Sequence, residues 1–388
     1  MRRRYALCLV LLLLLTGCWN RVEVNDLGVV TAMAVDVGEE KPVRLSLYMA
    51  RATGGASRQQ AGGNPIWLAA REAANLSEAV EMISMASPRR ISLHHVRIVV
   101  IGEEYARRDI SDVLDFLVRN PQIRLNARPM VAQGRAVEIF EVEPELETLQ
   151  SEVLSEVIHA MGLQDNRLKD FLVARISLTH SGWMYALRLR ERPARQPGSP
   201  GWVVEQHGAG FFLQDRMVAW ATPAETRLLL WLLGNGEGSV ISELCPGSQE
   251  RSLSGIFHNP SARITPALKG NSLSFMVAAK ANINLIRSQC DLTLVEREIR
   301  SQVERVMEQE VRRDMSALIS RMQSLGIDPA GFGKRVQLSE PNYWRTISTD
   351  WISAWKKASV VVDVDLTIGN TGLLARPGNK TDVELQKK

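Results

Sequence analysis

Cysteine is scarce in this chain: positions 8, 18, 245 and 290 hold the four present among 388 residues, too few for a disulfide-built scaffold. Aromatic residues make up only 6%. Neither sign of charge is in large excess, with 47 Lys plus Arg against 43 Asp plus Glu. Without a basic field, no nucleic-acid partner is expected. Long apolar runs are missing too: Tyr5 to Leu15 stops at eleven residues, short of the ~20 a helix needs to cross a bilayer.

Signatures of chemistry are equally sparse. His94 and His95 are adjacent, and on a strand their side chains point to opposite faces, so one ion cannot take both. His159, His180, His207 and His258 lack a Cys, His or acidic partner at ligand spacing. Gly326 and Gly331 are spaced as in a phosphate loop, but Phe332 stands where Lys is needed and the pair follows a helix instead of opening one. There is no Gly-x-Ser-x-Gly elbow. Asp363 and Asp365 sit where an amphipathic strand meets water. The expectation is no catalytic residue, no metal and no cofactor.

What is present begins at the amino terminus. Arg2, Arg3 and Arg4 precede the apolar run, and Leu15-Thr16-Gly17-Cys18 follows it. This is the layout of a signal peptide, and its end resembles a bacterial lipobox. Cleavage is then expected between Gly17 and Cys18, with a diacylglyceryl-type anchor on the Cys18 thiol. One acyl chain binds reversibly, whereas two or three hold firmly. Removal of residues 1–17 leaves 44 basic and 43 acidic residues, a net charge of +1.

The 388-residue chain is 45% hydrophobic and 23% charged, a globular composition at a length of two or three domains. Residues 22–37 and 44–49 predict a strand hairpin. Asn75 caps a helix over 76–85, and Ile91 to Ile101 predicts a strand. A helix over 110–118 with Val113, Leu114, Leu117 and Val118 on one face precedes a strand over 126–133. Residues 136–173 read as largely helical. Apolar strands at 184–189 and 209–213 flank the Pro- and Gly-rich stretch 191–201 and could pair across it. Thr222, Pro223 and Glu225 form a capping box for a helix ending at Gly234.

From Val240 onward, strands at 240–244, 253–257 and 272–286 lead to a long helix. It opens at the Thr293 to Glu296 capping box and ends at Leu325, with Gly326 as its left-handed cap. Val303, Val306, Val311, Met315, Leu318, Met322 and Leu325 form its expected buried stripe, with Glu308 and Arg312 paired outside. Val362, Val364, Leu366 and Ile368 alternate on a last strand. The expected organisation is a three-domain, elongated α+β or mixed α/β protein: 18–135, 136–237 and 238–374, then a tail over 375–388. The last domain is an antiparallel sheet packed with the long helix.

Two further groups stand out. Trp344, Trp351 and Trp355 share one helical face, which is either core packing or a partner surface. Cys245 and Cys290 lie outside the cytoplasm if the chain is exported, so a disulfide between them is chemically available.

Cys18-Trp19-Asn20-Arg21, Glu23 to Gly28 and Ala32 to Asp36 together resemble the mature start of the Ger(x)C family, the lipoprotein C subunits of bacterial spore germinant receptors. Glu225-Thr226-Arg227, Leu230 to Gly234, Cys245-Pro246, Gly331-Phe332-Gly333, Trp344-Arg345 and Asn370 to Leu373 resemble further family landmarks in family order. The resemblance implies three α/β domains and a non-catalytic accessory subunit, lipid-anchored at Cys18 on the outer face of the spore inner membrane. It also implies two partners, the integral-membrane A and B subunits. The alternatives are a lipid-anchored solute-binding protein, which needs two similar lobes around a cleft, and an anchored envelope enzyme. No repeated halves are visible.

Overall fold

A computed structural model of the protein describes residues 26–51, 66–142, 152, 154, 166–177, 179–192, 201–238, 240–245, 250–270, 272–289 and 297–370. Gly17, Cys18, Cys290, the Thr293 capping box and the tail over 375–388 lie outside these residues.

Nine strands form the first sheet, ordered β3-β2-β1-β5-β6-β7-β8-β9 with β4 beside the start of β1. The expected hairpin is β1 (Leu27–Val37) and β2 (Val43–Arg51), paired antiparallel, and β3 (Ile66–Ala73) continues it. α1 (Leu76–Met85) begins at Asn75, whose side chain accepts from the Glu78 amide at 2.9 Å. The short β4 (Arg90–Ser92) and β5 (Ile98–Gly102) both run parallel to β1. The single strand expected over 91–101 is therefore two, broken where Leu93 and Val96 turn inward. His94 and His95 lie exposed in that turn and not on a strand.

α2 (Glu103–Arg108) and α3 (Ser111–Arg119) carry the chain to β6 (Arg128–Ala132), parallel to β5. Phe116, not Val118, completes the buried face of α3; Val118 is exposed. α4 (Ala136–Glu141) and α5 (Leu168–Ile176) precede β7 (Ser181–Arg192), which runs parallel to β6. β8 (Gly201–Leu213) pairs with β7 across the Pro/Gly stretch, as the apolar patterns predicted, and β9 (Arg216–Ala221) closes the sheet edge. The break expected near residue 135 thus falls inside one sheet, because β7 docks on β6.

α6 (Pro223–Leu232) shows the full predicted capping box: Thr222 Oγ1 accepts from the Glu225 amide at 3.2 Å, and Glu225 accepts from the Thr222 amide at 2.8 Å. The second sheet follows, with β10 (Val240–Leu244), β11 (Ser252–Lys269), β12 (Ser272–Ser288) and β13 (Ser359–Asn370) in that order. The first three pair antiparallel and β13 lies parallel to β12. Parallel pairing needs a long crossover, supplied here by α7 (Arg297–Leu325), α8 (Phe332–Ser339), α9 (Pro341–Ile347) and α10 (Trp351–Lys357).

The buried stripe of α7 is Val303, Met307, Val311, Met315, Leu318, Ile319 and Met322. Met307 replaces the expected Val306. Glu308 also departs from its expected outer pair: its carboxylate accepts from the Leu366 amide at 3.0 Å, and Glu304 accepts from the Ile368 amide at 2.8 Å. These amides point off the free edge of β13, so two helix carboxylates cover the hydrogen-bonding row that an edge strand leaves open. Arg312 instead meets Asp363 at 3.5 Å. One continuous core runs from Ala32, Ile98 and Met130 on the first sheet through α6 to Phe275 and Val364 on the second. The helices α1, α3 and α5 bury the opposite face of the first sheet.

Candidate functional site

In sheets of this kind the region beyond the carboxyl ends of the parallel strands is where a ligand site is first sought. Here β1, β5 and β6 end around a cavity of about 660 Å³ lined by Asp36, Gly38, Glu103, Tyr105, Arg107 and Arg135, among others. Asp36 closes its floor. Its carboxylate oxygens accept from the Ala136 amide at 2.7 Å and the Val137 amide at 3.0 Å, the first amides of α4. A protein carboxylate thus occupies the place where a bound anion would meet that helix. Burial raises the Asp36 pKa, with the two amides, Arg135 and Arg44 acting against it. Gly102 is required beside it, since an added Cβ would lie 2.2 Å from the Asp36 oxygen. On the rim Arg107 pairs with Glu103 at 2.9 Å, and Glu103 also accepts from the Trp220 indole at 3.0 Å.

The same device recurs at α8. Gly326 ends α7 with φ +70°, as expected of a left-handed cap, and Gly331 precedes α8 with φ +78°. Between them Asp328 is 2% exposed, and its oxygens accept from the Phe332 and Gly333 amides at 2.7 Å each. Its own amide donates to Ser181 Oγ at 2.9 Å, tying this loop to the first residue of β7. The glycines spaced like a phosphate loop therefore enclose an internal carboxylate.

Burial pushes the Asp328 carboxyl up from 3.8 to about 7, against the pull of the amides of Gly333, Phe332 and Gly331. The folded state consequently favours the protonated acid. This group's contribution to stability is complete below the unfolded value of 3.8 and is lost as pH rises through about 7. The slope approaches ~1.4 kcal/mol per pH unit for one proton. Thermal melts between about pH 5 and 8 should show the wild type losing stability relative to Asp328→Asn, which lacks the titration. Parallel curves for the two proteins would refute the assignment.

A second cavity, about 250 Å³, lies between α6, the second sheet and α7, and its walls include Leu228, Trp231, Ile241, Phe257 and Val311. Arg227 also lines it, and partial burial lowers its pKa. The other residues of that landmark have structural duties. Glu225 caps α6 and pairs with Arg321, which also donates to the Trp220 carbonyl at 2.7 Å, and Thr226 Oγ1 donates to the Thr222 carbonyl at 2.9 Å.

The tryptophan face is core. Trp344, Trp351 and Trp355 are 5%, 2% and 0% exposed, so the partner-surface reading is corrected. α9 and α10 fold back onto the second sheet, where Trp355 packs 4.5 Å from Phe332 and 5.8 Å from Phe275 between ring centres. Cys245 is buried and disulfide-bonded. The other three cysteines lie outside the described residues. Among the described residues no three His, Cys, Asp or Glu side chains gather as metal ligands, and no helix is long and apolar enough to cross a membrane. The two sheets differ in size and topology and do not form paired lobes.

Sequence reasoning missed both carboxylate plugs. Asp328 had a local signal, an acid three residues before the glycine that opens a helix. Asp36 had none, because its partners lie 100 and 101 residues away.

The whole-chain comparisons agree with this geometry. Spore germination protein YndF of Bacillus subtilis is 23% identical over 94% of this chain and 95% of its own. Spore germination protein B3 of the same species is 20% identical over 96% of this chain and 99% of its own. The crystal structure of the GerBC protein superposes with a TM-score of 0.58 at 16% identity, covering 87% of this chain and 97% of that one; at that identity it attests the fold. Residues 20–179 match the spore germination protein N-terminal domain, and residues 207–372 match the spore germination B3/GerAC-like C-terminal domain. With both halves matched in order, the chain belongs to the GerAC-like family of spore germination proteins.

Proposed function

We propose that the protein is a non-enzymatic, lipid-anchored C subunit of a spore germinant receptor, needed for the germination response to nutrients. The carrying observation is the match of both family domains, in order, along nearly the whole chain. The plugged helix termini support a scaffold role, because the opening amides of α4 and α8 are filled by the chain's own Asp36 and Asp328. In this reading the integral-membrane A and B subunits are its partners, and Cys18 holds it to the outer face of the spore inner membrane. Cys245 then pairs with Cys290. In support, the Cys245 amide donates to the Arg251 carbonyl at 2.8 Å and the Gln289 amide to the Ser252 carbonyl at 3.0 Å, so both approaches meet neighbouring residues where β11 begins.

Mass spectrometry of the protein from dormant-spore membranes tests these assignments together. An acylated peptide beginning at Cys18, a Cys245–Cys290 disulfide peptide and two co-purifying membrane proteins are expected. Cys18→Ser should let high salt release the chain from the membrane fraction, where the acylated wild type stays. An unmodified Cys18 with unchanged fractionation would overturn the anchor, and purification without membrane partners would overturn the receptor role.

A further inference from the structure

The amino-terminal edge of the first sheet gathers charge that the neutral chain as a whole does not show. Four segments meet there. Leu27 at the start of β1 pairs with Arg90. The Arg97 carbonyl accepts from the Arg128 amide at 2.7 Å, and the Arg97 amide donates to Thr31. The Gln122 side chain accepts from the Leu93 amide at 2.9 Å. The Leu125 and Ala127 carbonyls accept from the Lys169 and Leu168 amides at 3.1 and 2.8 Å. Segments 26–28, 85–97, 120–128 and 167–170 together hold seven Arg or Lys and two acids, Asp26 and Asp170.

The acids do little to offset this charge. Asp170 turns back to accept from the Arg167 amide at 3.1 Å. Arg90, Arg97, Arg124 and Lys169 are exposed, as are His94 and His95, and none of the four cations pairs with a carboxylate among the described residues. The same segments carry apolar side chains in water, Met85 at 77% exposure and Leu125 at 46%. Cationic side chains around projecting apolar ones suit an anionic bilayer surface, where each Lys or Arg contributes and the apolar side chains enter the headgroup layer.

Chain geometry points the same way. The inference rests on the Cys18 anchor proposed above. Cys18 lies eight positions before Asp26, and eight steps of 3.3–3.6 Å reach at most ~29 Å. β1 leaves this edge and runs eleven residues away from it, roughly 36 Å at strand rise. The tether therefore emerges at the basic edge and not at the opposite, carboxyl end of β1.

We propose that this edge is a membrane-docking surface that seats the protein on anionic lipid headgroups and orients it relative to its anchor. The mature chain from residue 18 with Cys18→Ser, which lacks the anchor site, is mixed with vesicles of phosphatidylcholine alone or with added phosphatidylglycerol. Its partitioning is compared with that of the same chain carrying Arg90→Glu, Arg124→Glu and Lys169→Glu. Both chains begin at residue 18, so the basic and apolar segment 1–17 adds no bilayer affinity of its own.

The parent should prefer the anionic vesicles strongly and be released by high salt, and the reversed chain should bind more than about a hundredfold more weakly with an unchanged melt. If the triple change disturbs folding, single Gln variants at the same positions are read instead, each expected to weaken binding about fivefold. Equal anionic binding by parent and folded variants would overturn the docking surface. So would reversal that spares vesicle binding but abolishes co-purification with membrane proteins, which would assign the edge to an acidic protein surface. Acylation at Cys18, read separately on the wild type, distinguishes failure of the anchor from failure of the docking edge.

Discussion

Leu318→Asp should remove the cooperative thermal transition of the carboxyl-terminal half in the full chain, whereas Arg312→Ala should leave it within a degree or two of wild type. Leu318 is 1% exposed on the inner stripe of α7, facing the second sheet. An aspartate there forfeits ~1.5–3 kcal/mol of apolar burial. It also places an unpaired carboxyl in the core, at several kcal/mol more. A domain stable by only about 5–15 kcal/mol cannot absorb much of that. Arg312 by contrast makes an exposed pair with Asp363 at 3.5 Å, with the two side chains 44% and 68% exposed, and such pairs contribute ~0–1 kcal/mol. Differential scanning calorimetry of the two variants decides the matter. Equal melting temperatures would mean that α7 is not the brace of the second sheet.

The second large effect is expected at Trp355. This side chain is fully buried, stacks on Trp351 at 5.9 Å between ring centres and packs against Phe332 and Phe275. Its indole N–H donates to the Ile327 carbonyl at 2.8 Å, joining α10 to the loop that follows α7. Trp355→Ala opens a cavity in this cluster, at ~3–5 kcal/mol, equivalent to a melting-point loss of roughly 10 °C. Trp355→Phe keeps most of the apolar volume but orphans a carbonyl, for ~1–3 kcal/mol.

The neighbouring indoles behave differently. Trp344 and Trp351 bury their N–H groups with no hydrogen-bond partner among the described residues, so Phe at either position removes an unsatisfied donor and should cost markedly less than Trp355→Phe. Chemical denaturation of the variants, followed by far-UV circular dichroism, would show this order. A Trp351→Phe loss as large as that of Trp355→Phe would contradict it.

Local periodicity and capping chemistry were readable because the interacting atoms lie within one or two turns of each other in the chain. Asn75, the Thr222 to Glu225 box, Gly326 and the alternation of Val362 to Ile368 each contain their own partners, so the sequence alone determined those elements. It also set the fold class, the near-neutral charge and the family. Long-range choices were not determined in that way. That β7 joins β6 and makes one sheet of two expected domains depends on which strand edge is free in space, which hydrophobic spacing does not encode. The same holds for the parallel placement of β13, and for Glu304 and Glu308 covering its edge from 64 and 58 residues away.

The stripe of α7 slipped from Val306 to Met307 because the sheet it packs on selects the buried phase of a long helix. Asp36 was invisible as a helix cap because only the juxtaposition of β1 and α4 brings its carboxylate to the amides of Ala136 and Val137. The tryptophan face shows the same limit: its helical spacing was correct, but whether it met water, a partner or Phe275 depended on how α9 and α10 folded back. Sequence alone determined what each segment can be. Tertiary structure decided which segments meet, because burial and the satisfaction of backbone polar groups are settled only when distant parts of the chain share one core.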